Sequence, residues 1–263
     1  MDPTAMTVLG FSIIFLATAA GAALVFFFKR ELSGRLTTLF LGFASGVMVA
    51  ASVWSLLIPA IDGAEETYGA WSLVPAVAGF LLGGAFLVAI DKLIPHLHQG
   101  TGEEEGPPSH LKKPAKLFFA VTIHNIPEGL AVGFAFGAAA AAGGQGALVS
   151  ALGLAIGMAI QNFPEGAAVA LPMRAVTGSR LKAFLYGAGS GAVEPVFAVV
   201  GYFLAANLAA AQPWFLAFAA GAMIFVVVED LIPAAHLSEH PHFGTWGSMV
   251  GFAVMMALDV ALG

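Results

Sequence analysis

Apolar residues in this chain come in long blocks rather than in alternation. Segments free of Lys and Arg run over about 7–28, 36–60, 71–92, 116–140, 147–172, 181–206, 213–235 and 244–262, with short polar stretches between them. A helix crosses the hydrocarbon core with about 20 apolar residues, so the pattern predicts eight transmembrane helices. Strands are excluded: the runs are too long and too rich in Ala and Gly for the alternating strands of a barrel, and an open sheet edge cannot face lipid. The expected fold class is all-α and polytopic, a single transmembrane domain over residues 1–263 with almost no soluble part. Closely spaced glycines, as in Gly79–Gly83–Gly84 and Gly187–Gly189–Gly191, suit helices packed by close backbone approach.

Composition agrees. The chain is 59% hydrophobic and 10% charged, with a mean hydropathy of +0.89, where a soluble domain carries about 25% charged residues. It has no cysteine, which removes disulfides, iron–sulfur clusters and thiolate metal sites. The net charge of −6 does not suggest nucleic acid, and in a membrane the side on which each charge stands matters more than the sum. All ten basic residues fall at the first, third and fifth loops: Lys29, Arg30 and Arg35; Lys92, Lys112, Lys113 and Lys116; Arg174, Arg180 and Lys182. The positive-inside rule makes these loops cytoplasmic and puts both termini outside. The first apolar run has its basic residues after it, so it reads as a retained anchor rather than a cleaved signal peptide. The one long loop, about 96–113, holds His96, His98, His110 and Glu103-Glu104-Glu105, and reads either as a solvated linker or as a weak metal contact.

Three carboxylates stand deep within the apolar runs: Glu128, Glu165 and Glu194. Each costs at least about 2.5–3.5 kcal/mol at mid-bilayer, which makes it a functional candidate. Each also has a proline beside it, in His124-Asn125-Ile126-Pro127-Glu128-Gly129, in Gln161-Asn162-Phe163-Pro164-Glu165-Gly166 and in Glu194-Pro195. The first two are copies of one motif. Residues four apart share a helix face, so His124 stands one turn from Glu128, and Gln161 one turn from Glu165. Asn125 and Asn162, rotated by about 100°, still reach an interhelical cavity. Because the fourth and fifth helices run in opposite directions, His124 should face the level of Glu165, and Glu128 that of Gln161, with Glu194 closing the box. Pro127 and Pro164 should kink their helices and free the carbonyls of Ile123 and Ile160, which is tolerated at this depth only where backbone lines a cavity or is buried in protein.

Such a box suits cation transport. Three carboxylates cannot all stay ionised in a low dielectric without cations to balance them. Imidazole, carboxylate and carbonyl ligands without sulfur favour zinc, iron or manganese over copper(I). Protonation of Glu128, Glu165 or Glu194 would remove ligand charge and assist release.

These residues resemble the ZIP (Zrt/Irt-like) family of divalent-metal transporters, in particular its bacterial GufA-like branch, over essentially the whole chain. The resemblance implies transport of divalent transition metals, Zn2+ first and Cd2+, Fe2+ or Mn2+ besides, across the bacterial inner membrane into the cytoplasm, with no enzymatic activity and no catalytic cofactor. It makes His124, Asn125, Glu128, Gln161, Asn162, Glu165 and Glu194 the lining of a metal centre holding one or two ions. Asn162 stands where some relatives have Asp, which would weaken a second metal. The expected partners are the metal and the lipid bilayer, and a homodimer is compatible with the sequence. Met48, Asp62, Glu65 and Glu66 are candidates for the entrance; Asp91, Glu229, Asp230 and His236, followed by His240 and His242, are candidates for the exit. Phe43-Ala44-Ser45-Gly46-Val47-Met48, with Leu57-Ile58-Pro59-Ala60 after it, is echoed by Phe218-Ala219-Ala220-Gly221-Ala222-Met223 and Leu231-Ile232-Pro233-Ala234. Spans 1–3 and 6–8 are therefore expected to be inverted repeats around spans 4 and 5, and one helix group to shift against another in alternating access. Two other readings use the same ligands: a metal-selective channel, and an intramembrane zinc hydrolase. Against the hydrolase stand the lack of His-Glu-x-x-His and Gly-x-Ser-x-Gly sequences and the single intramembrane histidine.

Overall fold

The computed structural model describes residues 2–28, 33–97, 103–236 and 240–262. Lys29, Arg30 and His98, named above, lie outside them. Among the described residues eight helical spans are long and apolar enough to cross a membrane: α1 (Pro3–Phe26), α2 (Gly34–Trp71), α3 (Leu73–Asp91), α4 (Ala115–Ala142), α5 (Gln145–Thr177), α6 (Arg180–Asn207), α7 (Ala209–His236) and α8 (Pro241–Leu262). Local sequence sets several ends. Asp2, Ser33 and Ser179 accept a backbone N–H at the starts of α1, α2 and α6, and Gly178 takes the left-handed conformation that closes α5.

Two features depart from the hydropathy pattern. The second span does not stop near residue 60 but continues as helix to Trp71. Ala60 and Ala64 are fully buried on one face of this extension, which packs on α7, so Asp62, Glu65 and Glu66 project from helix rather than from a loop. The loop before α4 contains a two-residue ribbon, β1 (His96–Leu97) antiparallel to β2 (Glu104–Glu105), and Glu104 pairs with Lys116 on α4.

The spans divide into two groups. In one, α1 lies along α5 and α4 along α6; in the other, α2 lies along α8 and α3 along α7. Exchanging spans 1–3 with 6–8, and 4 with 5, turns each of these pairs into the other pair of its group, as an inverted repeat requires. The match extends to single residues. Met48 and Met223 are each followed four residues later by a π-helical turn, Ser52–Leu57 in α2 and Val227–Leu231 in α7. A Cβ on Gly83 would collide with the carbonyl of Phe218, and one on Gly251 with the carbonyl of Phe43. Eight residues beyond each of these two glycines stands an aspartate, Asp91 and Asp259.

Candidate metal centre

Both Pro-Glu-Gly motifs lie in uninterrupted helix, with Pro127 inside α4 and Pro164 inside α5. The glycine that ends each motif seats the neighbouring span. A Cβ on Gly129 would meet the backbone of Glu194, and a Cβ on Gly166 the backbone of Thr18. Without side chains there, α6 settles on α4 and α1 on α5, and Glu194 comes within electrostatic reach of Glu128 and Glu165.

Asn125, Glu128, Gln161, Asn162 and Glu194 are buried, and the last four are tied to one another by hydrogen bonds. Gln161 Nε2 donates to Glu128 Oε2 at 2.7 Å and to Asn162 Oδ1. Asn162 Nδ2 donates to Glu194 Oε2 at 2.6 Å and faces the Ile14 carbonyl at 3.4 Å. The Thr18 hydroxyl donates to Glu194 Oε1 at 3.0 Å, and Asn125 Nδ2 to the Ser190 carbonyl at 3.0 Å. Among the described residues five buried side-chain oxygens have no hydrogen-bond partner, and four of them stand on the two motifs: Asn125 Oδ1, Glu128 Oε1, Gln161 Oε1 and Glu165 Oε2; the fifth is Asp259 Oδ2 on α8. Acceptors left bare in a protein interior are costly and call for an explanation; each of these oxygens is open to a donor or a cation.

The expected opposition across the helix pair is present, Glu128 against Gln161 and His124 within electrostatic reach of Glu165. His124 also reaches the other helix group, where its Nε2 stands 3.0 Å from Asp230 Oδ2. Among the described residues no three His, Asp or Glu side chains are gathered closely enough to hold an ion between them, so a centre here has to draw on the Asn and Gln amides or tighten around its ion. A cavity of about 480 Å³ leads to it, running from Gly34 and Pro172, at the end of the bundle that carries the basic residues, past Leu41 and Val121 to His124 and Glu165.

The other candidates separate by position. Asp91 is buried at the end of α3, 3.4 Å from His96 Nε2 and within reach of His124 and Asp230. Glu229 and His236 are exposed, although Asp230 beside Glu229 is buried. Met48 is enclosed in the core rather than open at a mouth, while Asp62, Glu65 and Glu66 are exposed.

The sequence profile of the ZIP Zinc transporter family matches residues 114–259, a stretch that holds both motifs and Glu194. The chain belongs to the ZIP family. It is 39% identical to the human zinc transporter ZIP11 over an alignment of 327 residues, covering 94% of each chain. It is 39% identical to zinc transporter ZIPB of Bordetella bronchiseptica, over 97% of this chain and 81% of that one, and 35% identical to zinc transporter GufA of Myxococcus xanthus, over 94% and 95%. Family and spans together make it a multi-pass membrane protein.

Two polar contacts of this ZIP-family chain escape sequence reasoning. Thr18 gives no signal, because hydroxyls inside membrane helices commonly bond only to their own backbone, as Thr18 also does to Ile14 at 3.3 Å. Asp259 lies close enough to the end of the last apolar run to pass for a terminal charge, yet it accepts a hydrogen bond from Ser55 on α2. A count that included every carboxylate within four residues of a span end would have found it.

Proposed function

We propose that this protein carries divalent transition-metal cations, zinc first, across the bacterial inner membrane into the cytoplasm. The ion binds His124, Glu128, Gln161 and Glu165, and Asn125, Asn162 and Glu194 complete the wall of the centre. The observation that carries this reading is the set of four buried oxygens without donors on two copies of one motif, with Glu165 of that set and His124 lining a cavity. Relatives named zinc transporters supply the choice of metal. The distribution of basic residues supports a cavity on the cytoplasmic side and both termini outside. His124, shared between Glu165 and Asp230, hands the ion towards Asp230 and Asp91.

Alternating access follows from how the two groups are joined. Among the described glycines, those whose Cβ would strike the backbone of another span do so within one group, whereas Gly153 and Gly157 of α5 meet only the side chains of Leu262 and Met255 across the boundary. Backbone-to-backbone packing makes each group rigid; a seam of side chains that includes the adaptable Met255 allows one group to slide on the other.

Uptake of radioactive zinc into metal-free proteoliposomes tests the reading, with wild type compared against Glu128→Ala, Glu165→Ala in equal amount and orientation. Saturable uptake that the double variant abolishes is expected. Equal uptake by both would make the carboxylates structural, and flux that stays linear with concentration and follows the membrane potential would mark a pore instead.

A further inference from the structure

The cavity beside the centre is chemically unlike a path for a bare ion. Four polar side chains line it: His124 and Glu165 at its inner end, and Thr37 and Thr38 within about one helical turn of Gly34 at its mouth. Between them the walls are apolar, with Leu41 and Ala44 from α2 and Ala168 and Leu171 from α5. Asp91 and Asp230, the acids near His124, are not among the lining residues. Ten residues separate Gly34 from Ala44 and seven separate Glu165 from Pro172, so at about 1.5 Å per helical residue the cavity is about 10–15 Å deep. Its volume of about 480 Å³ lies within the range of about 300–1,000 Å³ of small-molecule sites, which likewise join apolar walls to a few convergent polar groups.

A bare cation gains nothing from such walls, and an apolar chain gains nothing from the carboxylate at their end. A ligand with both parts uses both. Glu165 Oε2 is buried without a hydrogen-bond partner, and an ammonium N–H can fill it with a charge-assisted bond. An unbranched alkyl chain then lies along the walls, and carbon–carbon bonds of about 1.5 Å cover the depth with about eight to twelve carbons. An alkyl carboxylate fits poorly in the reverse sense. Its head would stay at the mouth, where Arg174 already donates to the Phe28 carbonyl at 2.6 Å, and its chain would end against the open Glu165 oxygen.

We infer that this cavity is a binding site for amphiphilic amines of medium chain length, seated with the ammonium on Glu165 and the chain between α2 and α5. Because α2 and α5 belong to different helix groups, the chain is a wedge that holds the protein in the form in which the cavity is open. The amine takes a carboxylate from the metal centre, so amine and zinc exclude each other. Inhibition of uptake by the amine rests on the transport reading above; binding of the amine does not.

Isothermal titration calorimetry of the full chain in lipid nanodiscs, with empty nanodiscs subtracted, tests the site with butylamine, octylamine, dodecylamine and tetradecylamine, and zinc uptake into proteoliposomes is measured beside it. Saturable binding should tighten about fourfold per added CH2, the equivalent of about 0.8 kcal/mol, from butyl to octyl. It should stop tightening by dodecyl, where the chain reaches the mouth, whereas partition into the bilayer alone gains with every further CH2. Octanol and octanoate should bind at least tenfold more weakly than octylamine, and zinc should displace the amine. Ala168→Phe, which fills the cavity and leaves the ligands of the centre in place, should weaken octylamine at least tenfold while zinc still binds. Affinity that climbs without a break to tetradecyl overturns the inference and leaves the amine to the bilayer. Octanoate binding as tightly as octylamine overturns it too and gives the cavity to anionic amphiphiles. The chain-length series on the wild type decides even if Ala168→Phe fails to fold. A plateau in a protein that takes up no zinc overturns the transport reading and keeps the site, and zinc uptake with no amine binding does the reverse.

Discussion

A carboxylate inside a bilayer is defined by what surrounds its oxygens, and the three here differ in that respect. Glu194 has a donor on each oxygen, Glu128 on one, and Glu165 has an open oxygen with His124 nearby. Gln161 is what holds Glu128. Gln161→Leu leaves Glu128 without its donor, and an unsatisfied buried acceptor costs about 1–3 kcal/mol. The expected result is a lower thermal midpoint by scanning fluorimetry together with a raised half-saturation concentration for zinc uptake. The candidate entrance and exit residues should respond differently from the centre and from each other. Changing Asp62, Glu65 and Glu66 together to their amides removes exposed charge, which steers cations over a Debye length of about 8 Å at physiological salt. Uptake should fall below that of the wild type at low ionic strength, and the two rates should converge as added salt screens the wild-type charge. Asp230→Asn, by contrast, removes the partner of His124 on the far side of the group boundary, and should lower the maximal rate at every salt concentration with little change in half-saturation. Most of these residues were legible in the sequence, because charge and amides in an apolar run have few other reasons to be there. Thr18 was not, since its partner Glu194 is 176 residues away in the chain.

At the scale of elements, the glycines of the two motifs bear on whether the helices can meet at all. Gly166 lies against the backbone of Thr18 and Ala22, whereas Gly146, in the first turn of the same helix, has nothing within 4 Å of an added Cβ. Gly166→Ala has to push α1 and α5 apart, and overpacking of this kind costs about 1–3 kcal/mol. Gly146→Ala should leave stability unchanged or raise it by up to about 1 kcal/mol, since alanine loses less backbone entropy in a helix. Thermal unfolding of the two variants in the same detergent checks the contrast. Hydropathy located the spans but not the extension of α2 to Trp71, because Asp62, Glu65 and Glu66 look like a loop until the buried face formed by Ala60 and Ala64 is seen. The ribbon formed by His96–Leu97 and Glu104–Glu105 was equally invisible, as two-residue strands carry no period.

For the molecule as a whole, the proposed sliding of one helix group on the other predicts the outcome of cross-linking, and the lack of cysteine leaves an engineered pair without competitors. Ser45 and Ser248 touch within one group, their hydroxyl oxygens 2.7 Å apart, while Gly157 and Met255 meet across the boundary. Oxidising Ser45→Cys, Ser248→Cys should leave zinc uptake intact. Oxidising Gly157→Cys, Met255→Cys should arrest it, with recovery on reduction; uptake that persists with the second pair fully oxidised would rule out movement at this seam. The sequence by itself determined the number of spans, their all-α character, the paired motifs and the repeat, because each of these is a local consequence of apolar length, helix period or residue type. Only the tertiary structure decided which spans pair, that Gly153 and Gly157 meet side chains across the group boundary, that His124 turns to Asp230, and that Glu194 accepts hydrogen bonds from Thr18 and Asn162. Those depend on glycines facing backbones far away in the chain and on which donor reaches which oxygen, and neither is encoded in any one segment.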